Sequence, residues 1–218
     1  GVAARRGKRT RITGPAADRE VHRLRAGHDA IGVGIRTALV DDPMLTVRTG
    51  RAPRVPPVRF VFDRKARLPL LSNLAATAPL VPTVVVASAP PARREMKLFA
   101  AGVEVLRARS LRASLQALAG HEVRALLVEG GPTLARAFLA ARLVDRIVIF
   151  QSPTRLGAGR VAAFDDATLL DRYRVVARRT VGPDLMTVYD PTRPRDRVHR
   201  THHRRRNGIG STNDPHVL

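Results

Sequence analysis

The sequence contains no cysteine and no tryptophan, and aromatic residues make up only 4% of its 218 positions. The lack of cysteine excludes disulfide bonds, thiolate nucleophiles and cysteine-ligated zinc within this chain. No apolar run approaches the roughly 20 residues that a membrane-spanning helix needs. The basic N-terminus is not followed by the apolar segment of a signal peptide. These absences lead us to expect a cytoplasmic protein with no membrane partner and no metal.

Acidic residues are also scarce relative to basic ones. The chain holds 39 Lys and Arg against 18 Asp and Glu, a net charge of +21, and its lysines are Lys8, Lys65 and Lys97. The arginines are spread along the chain rather than focused in a stripe, and few aromatic side chains are available to stack on bases. We therefore expect anionic small molecules as ligands, and nucleic acid only as a non-specific partner.

Strand and helix patterns alternate along most of the chain. Apolar or β-branched runs predict strands at 29–34, 58–62, 83–87, 103–106, 125–128 and 146–150. Amphipathic or short helical segments are predicted at 15–27, 37–40, 111–119 and 132–141, whereas three prolines make 64–82 mostly loop. This alternation is typical of an α/β fold, with a mostly parallel sheet covered by helices on both faces.

The last part of the chain differs from the rest. Segments 173–178 and 185–189, joined by a Gly-Pro turn at 182–183, predict an antiparallel strand pair that makes the sheet mixed. Residues 191–218 hold seven arginines and four of the seven histidines, with almost no apolar periodicity. Such a segment cannot bury enough apolar surface to fold alone. The sequence therefore predicts one domain over 1–190 and a basic, disordered tail over 191–218.

The most informative motif lies at 125–134, where an apolar strand is followed by Glu129, two glycines, a proline and a threonine. Pro132 suits the first position of a helix, because its missing N–H would be unpaired there anyway. Gly130 and Gly131 allow a sharp turn and the close approach of a ligand. Free N–H groups at the helix start favour an anion such as a phosphate. Glu129 would repel that anion, so we expect it to face a second, polar ligand.

Five segments, in this order along the chain, resemble one family. They are 21–34, 37–48, 62–69, 129–134 with 143–145, and 181–184. Together they resemble the pyrimidine reductase of riboflavin biosynthesis, often the C-terminal domain of a bifunctional deaminase-reductase, over roughly residues 1–190. The resemblance implies a dihydrofolate-reductase-like fold. The family opens with a strand that carries a lysine and a Ser-Leu-Asp-Gly turn, and we expect that first strand to be missing here.

The resemblance also implies an activity. The family uses NADPH to reduce the ribosyl side chain of 5-amino-6-(5-phosphoribosylamino)uracil to ribityl, and a homodimer is expected. The cofactor-binding residues it implies are Thr37, Asp41, Arg64, Gly131, Pro132, Thr133, Leu134, Ala135, Arg136 and Ala137. The substrate-binding residues it implies are Arg25, Leu45, Arg48 and Glu129. Arg64 or its neighbour Lys65 is expected to select the 2′-phosphate of NADPH.

Several alternatives stay open at this point. The same fold could reduce the not-yet-deaminated diaminopyrimidinone nucleotide or another small carbonyl compound. Two hypotheses outside enzyme function are a basic nucleic-acid-binding module and an inactive truncated scaffold. Arg25 could be a solvated helix residue, and Asp41 with Asp42 could form only a turn. No general acid stands out in the sequence, so the catalytic residue is unknown.

Overall fold

The computed structural model describes residues 2–5, 12–50, 52–153, 160–162 and 170–192. Its strands are β1 (Val2–Arg5), β2 (Ala30–Gly34), β3 (Val58–Phe62), β4 (Thr83–Ala87), β5 (Glu104–Arg107), β6 (Leu126–Val128), β7 (Ile147–Gln151), β8 (Arg160–Ala162), β9 (Tyr173–Val181) and β10 (Asp184–Pro191). Its helices are α1 (Pro15–Ala26), α2 (Ile35–Asp41), α3 (Asn73–Ala76), α4 (Ala92–Ala100), α5 (Leu111–Gly120) and α6 (Pro132–Ala140).

The strands form three sheets in the described part of the chain. The largest has five strands in the order β5-β4-β3-β2-β6, and every neighbouring pair is parallel. A second sheet has the antiparallel order β7-β10-β9, and β1 pairs with β8 in a third. The mixed α/β fold is confirmed, and the predicted antiparallel pair, β9 and β10, lies in a sheet separate from the parallel one.

Both faces of the parallel sheet are buried. On one face Ile31, Val61 and Val85 pack with α3 and α4 through Leu74 and Leu98. On the other face Phe60, Val84 and Val86 pack with Leu118 of α5. A sheet covered on both sides explains why β4 is a continuous apolar run instead of an alternating one.

The predicted helices and strands are present, and the structure adds four short elements. α4 is amphipathic but was not predicted; Leu98 is its buried residue, and its apolar residues Met96 and Phe99 are exposed. α3 lies within the segment predicted as loop and is capped by the Ser72 hydroxyl, which accepts from the N–H of Ala75. β1 and β8 are the other two. β10 continues to Pro191, and residues 193–218 of the predicted tail lie outside the described residues.

A fully buried arginine ties the loop after α2 to the sheet. Arg59 on β3 has no exposed surface, and its guanidinium donates to the carbonyls of Met44, Leu74 and Val81 and to the Thr77 hydroxyl. Burial lowers the pKa of Arg59 to about 10, so the side chain stays charged at neutral pH. Its hydrogen bonds to these carbonyls hold the segment around Met44 in place.

The three-stranded sheet is covered by α1. Ala17 of α1 packs on Val181 and Met186, and these residues form a separate small core. A Cβ on Gly182, which has φ +62°, would lie 2.9 Å from the Cβ of Ala16, so this turn requires glycine. The buried Asp184 accepts from the N–H of Gly14 at 2.7 Å, just before α1 begins. α1 is thereby fixed on this sheet, and its other side reaches the parallel sheet.

Candidate functional site

The order of the parallel strands defines where a ligand would bind. From β2 the chain builds outward through β3, β4 and β5, then crosses back to place β6 on the opposite side of β2. In open parallel sheets, ligands bind beyond the carboxyl ends of the strands at the point where the strand order reverses. In this protein that point lies between Gly34, which ends β2, and Val128, which ends β6.

The turn from β6 to α6 lies at this point. Gly130 has φ +113°, a conformation that side-chain-bearing residues rarely adopt, and a Cβ there would lie 2.8 Å from the Thr37 hydroxyl. Gly131 is the N-cap and Pro132 the first residue of α6, with no side chain capping the helix. The N–H groups of Thr133 and Leu134 have no partner within their own helix at this end. These donors and the tight turn fit an anion.

The first turn of α6 packs on the end of β2. A Cβ on Gly34 would contact the Cβ of Leu134 at 3.5 Å, and the N–H of Gly131 donates to the Thr37 hydroxyl at 3.2 Å. Thr37 lies one turn into α2. The structure therefore brings Thr37 next to the Gly-Gly turn. Asp41, the last residue of α2, lies at the far end of the same helix.

The residues assigned to the cofactor by resemblance all lie at the carboxyl edge of the sheet or on helices that begin there. Ala135, Arg136 and Ala137 continue α6 beyond its first turn, and Ala137 is exposed. Arg64 and Lys65 follow the end of β3 and are exposed. The Arg64 carbonyl accepts from the N–H of Ser88, just past β4. The Arg64 side chain makes no hydrogen bond or ion pair within the described residues.

Two residues assigned to the substrate bind each other. Arg25 of α1 and Glu129 form a two-pronged ion pair, with Nε to Oε1 and Nη2 to Oε2 both at 2.7 Å. The third nitrogen of Arg25, Nη1, donates to the carbonyl of Thr46 at 3.0 Å. The side chains are 11% and 20% exposed. Glu129 therefore faces Arg25 rather than the anion site, and the pair holds three segments of chain together.

Arg48 is presented to solvent beside this pair. Its backbone N–H donates to Nδ1 of His22 at 3.1 Å, while its side chain is exposed and makes no ion pair with any described residue. Since Nδ1 accepts, neutral His22 carries its proton on Nε2. Burial lowers the pKa of His22, and the charges of Arg25 and Arg48 lower it further. A neutral His22 thus fixes the backbone at Arg48.

The loop between α2 and β3 is held in an unusual conformation. Leu45 has φ +49° and is only 3% exposed, so its side chain belongs to the core and only its backbone could reach a ligand. Asp42 has φ +39° and accepts from both the backbone and the side chain of Asn73. Asp42 therefore forms a structural turn, one of the two interpretations left open by the sequence.

The sequence analysis did not assign a role to His22 or to the Thr46 carbonyl. His22 lies three residues before Arg25 on α1, so the helical period puts both on one side. That spacing was the available signal for His22. No signal identified the Thr46 carbonyl, because a backbone acceptor is independent of residue type. Among the described residues no cluster of His, Cys, Asp and Glu could hold a metal ion.

Comparison with known proteins adds a family to this geometry. The sequence model described as the RibD C-terminal domain matches residues 1–187. A protein of Methanothermobacter thermautotrophicus, named 2,5-diamino-6-ribosylamino-4(3H)-pyrimidinone 5′-phosphate reductase, is 37% identical over 192 residues, which cover 82% of this chain and 87% of that protein. The riboflavin biosynthesis protein RibD of Mycobacterium tuberculosis is 35% identical over 191 residues, covering 84% of this chain and 49% of that one.

The solved structures agree with the sequence comparison. Acinetobacter baumannii RibD superposes with a TM-score of 0.76 and 29% identity, covering 88% of this chain and 55% of that one. The chain therefore spans about half the length of the proteins named RibD and most of the length of the archaeal reductase. No described helix is both long and apolar enough to cross a membrane.

Proposed function

The chain belongs to the RibD C-terminal domain family and is a reductase of riboflavin biosynthesis, and we propose that it uses NADPH to reduce the ribosyl side chain of a phosphorylated aminopyrimidine. One observation supports the cofactor assignment. The Gly130–Gly131 turn contacts Thr37 at the point in the sheet where the strand order reverses. The proposed substrate is 5-amino-6-(5-phosphoribosylamino)uracil. The diaminopyrimidinone nucleotide is the second candidate, because the 37% identical relative is named for it.

The residues at the turn fit a dinucleotide phosphate. A Cβ at Gly130 would collide with the Thr37 hydroxyl, so only glycine lets this turn pack so closely on α2. The free N–H groups at the start of α6 supply donors, and the helix dipole adds a partial positive charge. Thr37, Asp41 and residues 131–137 are the proposed cofactor contacts, with Arg64 or Lys65 toward the 2′-phosphate.

The substrate contacts are proposed on the other side of the turn. Arg48 offers a planar fork of donors suited to the 5′-phosphate, and its guanidinium is not engaged by a described side chain. Arg25 keeps N–H groups beyond those that bind Glu129 and Thr46. The backbone at Leu45 and the carboxylate of Glu129 complete the proposed set. Glu129 orients a sugar hydroxyl and at the same time binds Arg25.

The protein's contribution is position and charge. When bound, NADPH supplies a hydride for C1′ of the sugar in its ring-opened carbonyl or imine form. The chain's own residues hold the two ligands at adjacent ends of β2 and β6. Arg48 neutralises the phosphate, Arg25 adds its remaining N–H donors, and the Arg25–Glu129 pair fixes the carboxylate next to the sugar. No described side chain is assigned as the proton donor.

The test is NADPH binding and turnover in a Gly131→Val variant. A Cβ at Gly131 would meet the Thr37 hydroxyl at 3.6 Å, an ordinary contact, so the variant is expected to fold. The added side chain should obstruct the phosphate and weaken NADPH binding by at least about tenfold, or 1.4 kcal/mol. Titration is followed by fluorescence, and oxidation of NADPH is assayed with each of the two pyrimidine nucleotides. Gly120→Val, where a Cβ meets nothing within 4 Å, is the matched control.

Two outcomes contradict the proposal. Unchanged NADPH affinity in a folded Gly131→Val variant would remove the cofactor from this turn. Turnover of neither nucleotide by a chain that binds NADPH would point to another carbonyl substrate. Turnover of one alone decides between the two named substrates.

We also propose that the reductase is a cytoplasmic homodimer. β9 is the outer strand of its sheet and exposes most of its length, including Val175 and Val176, whose side chains point to opposite faces. Such an edge invites pairing with a second copy. Sedimentation velocity should give a dimer mass, and Val176→Lys should shift the chain toward monomer. A monomer at all concentrations would contradict this assembly.

A further inference from the structure

The loop that follows β3, residues 63–68, alternates between exposed and buried positions, and we call it the β3 loop. Arg64 and Lys65 are exposed, whereas the side chains of Ala66 and Leu68 have no exposed surface and belong to the core on one face of the parallel sheet. Ala66 has φ +52°, in the left-handed region that residues with a side chain seldom occupy. Such a conformation persists only where surrounding contacts hold it.

Asp63 supplies one set of these contacts. Its side chain has no exposed surface, and its Oδ2 accepts from the N–H groups of Arg67 and Leu68, the second at 3.0 Å. Its Oδ1 accepts from Nε of Arg67 at 3.2 Å. The backbone N–H of Asp63 donates to the carbonyl of Val86 on β4 at 3.0 Å. One buried carboxylate therefore ties the end of the loop to its beginning, which is itself fixed to the sheet.

Arg94 of α4 supplies the other set. Its Nε donates to the carbonyl of Ala66 at 2.7 Å, and its Nη2 donates to the carbonyl of Leu68. The planar guanidinium is suited to two neighbouring acceptors. Asp63 thus accepts from N–H groups of the β3 loop while Arg94 donates to its carbonyls. We call these two side chains the clamp.

The clamp fixes the backbone that carries Arg64 and Lys65. The carbonyl of Arg64 also accepts from the N–H of Ser88 at 3.2 Å, just past β4. The two exposed cations are therefore presented at the carboxyl edge of the sheet on a loop that is already ordered. Binding an anion then orders only their side chains, and the cost of ordering the loop itself is avoided.

We propose that Arg94, together with Asp63, is a positioning residue for cofactor choice. It holds the β3 loop so that Arg64 or Lys65 meets the 2′-phosphate of NADPH, and it acts through the loop without contacting the cofactor. This inference rests on the proposed assignment of the 2′-phosphate to Arg64 or Lys65. Loss of the clamp should weaken discrimination between 2′-phosphorylated and unphosphorylated cofactors and leave the KM for the pyrimidine nucleotide unchanged.

The first measurement is amide hydrogen exchange in the full 218-residue chain without cofactor. Arg94→Met keeps a long side chain and removes its donors. Exchange over 66–68 should become at least about threefold faster in this variant, because local opening of the loop costs less free energy. Arg93→Met, at the exposed neighbouring position of α4, is the matched control, and β2 is the internal reference. Unchanged exchange in Arg94→Met would show that Arg94 does not hold the loop.

The second measurement is calorimetric binding of 2′,5′-ADP and of 5′-AMP, which differ in the 2′-phosphate. The preference of the wild type for 2′,5′-ADP should fall about three- to tenfold in Arg94→Met, the size of coupling expected within one hydrogen-bond network. Arg94→Lys keeps the charge but not the fork of donors, so its preference should fall as well. Added to Arg64→Ala with Lys65→Ala, Arg94→Met should have no further effect.

Three binding results would overturn the proposal. An unchanged preference in Arg94→Met would separate the clamp from cofactor choice. A wild-type preference in Arg94→Lys would mean that the charge of Arg94 matters and its hold on the loop does not. A further loss on adding Arg94→Met to the double variant would mean that Arg94 acts independently of the loop cations.

Failure of the cofactor assignment gives a different result. If Arg64→Ala with Lys65→Ala keeps the wild-type preference for 2′,5′-ADP, the 2′-phosphate does not bind at the β3 loop. That result would overturn the assignment and the role of Arg94 together, whereas the three results above concern Arg94 alone.

Discussion

Single residues around the site divide into those that hold the backbone and those that remain free for a ligand. Arg25 donates from all three of its nitrogens to Glu129 and Thr46, and Arg59 donates to three carbonyls and one hydroxyl. Both bind backbone carbonyls of the loop after α2, Arg25 at Thr46 and Arg59 at Met44. Arg48 lies on that same loop with an exposed, unengaged guanidinium. We therefore propose Arg48 as the cation that binds an anionic substrate.

Replacing Arg48 with alanine should raise the KM for the pyrimidine nucleotide. A charged hydrogen bond contributes about 1.5–3 kcal/mol, so kcat/KM is expected to fall roughly ten- to a hundredfold. Because the contact is made equally in the ground and transition states, KM should change more than kcat. NADPH affinity should hardly change. Steady-state kinetics against Arg54→Ala, another exposed loop arginine, is the measurement. Wild-type KM and kcat/KM in Arg48→Ala would disprove the phosphate contact.

His22 should make folding stability depend on pH. Burial lowers its pKa in the folded state below the usual value of about 6.5, so the folded protein binds fewer protons than the unfolded one. The stability that His22 contributes is then complete above the unfolded pKa and is lost as pH falls toward the folded one. In His22→Asn the side-chain oxygen can still accept from the Arg48 N–H, but it does not titrate.

Urea unfolding at pH 7.5 and pH 5.5 measures this effect. The wild type should lose more free energy of unfolding than His22→Asn on going to the lower pH. The exposed His121→Asn variant should follow the wild type. Parallel losses in the wild type and His22→Asn would show that His22 does not titrate differently in the two states.

At the level of elements, the site depends on how α2 and α6 begin. α2 follows β2 directly and α6 follows β6 after a three-residue turn, and neither helix has a side-chain cap at its N-terminus. The Thr37 hydroxyl instead joins the two helices by accepting from Gly131. The end of β3 adds Arg64 and Lys65 at the same edge of the sheet. Three consecutive strand ends therefore contribute to one surface.

The end of β3 should decide between NADPH and NADH. Basic side chains near the adenosine ribose favour the 2′-phosphate of NADPH. Arg64→Ala combined with Lys65→Ala is expected to reduce the preference for NADPH over NADH about tenfold through loss of charge-assisted bonds. The matched control is Arg93→Ala with Lys97→Ala, an exposed pair on α4. An intact preference would mean that these residues form only a solvated loop.

At the level of the whole molecule, α1 connects the two larger sheets. Its Ala17 packs on the antiparallel sheet, and its Arg25 reaches Glu129 at the end of the parallel one. The substrate side of the site therefore depends on the relative position of two sheets that share no hydrogen-bonded strands in the described part of the chain.

Much of the fold followed from local sequence. Apolar periodicity predicted α1, α5, α6 and the strands of the parallel sheet, because burial on a helix face or in a doubly covered strand leaves a short-range pattern. Proline and glycine predicted the turns at 130–132 and 182–183 in the same way. The amphipathic pattern of α4 was overlooked, and in the structure Leu98 is the buried residue of that helix.

The sequence by itself determined the fold class, the family resemblance and the Gly-Gly-Pro start of α6, all properties of neighbouring residues. Only the tertiary structure decided that Glu129 binds Arg25, 104 positions away, and that the Leu45 side chain lies in the core. It also decided that Arg59 is buried without a carboxylate among its bonded partners. These features arise from contacts between distant segments, and the periodicity of one segment carries no information about its partner.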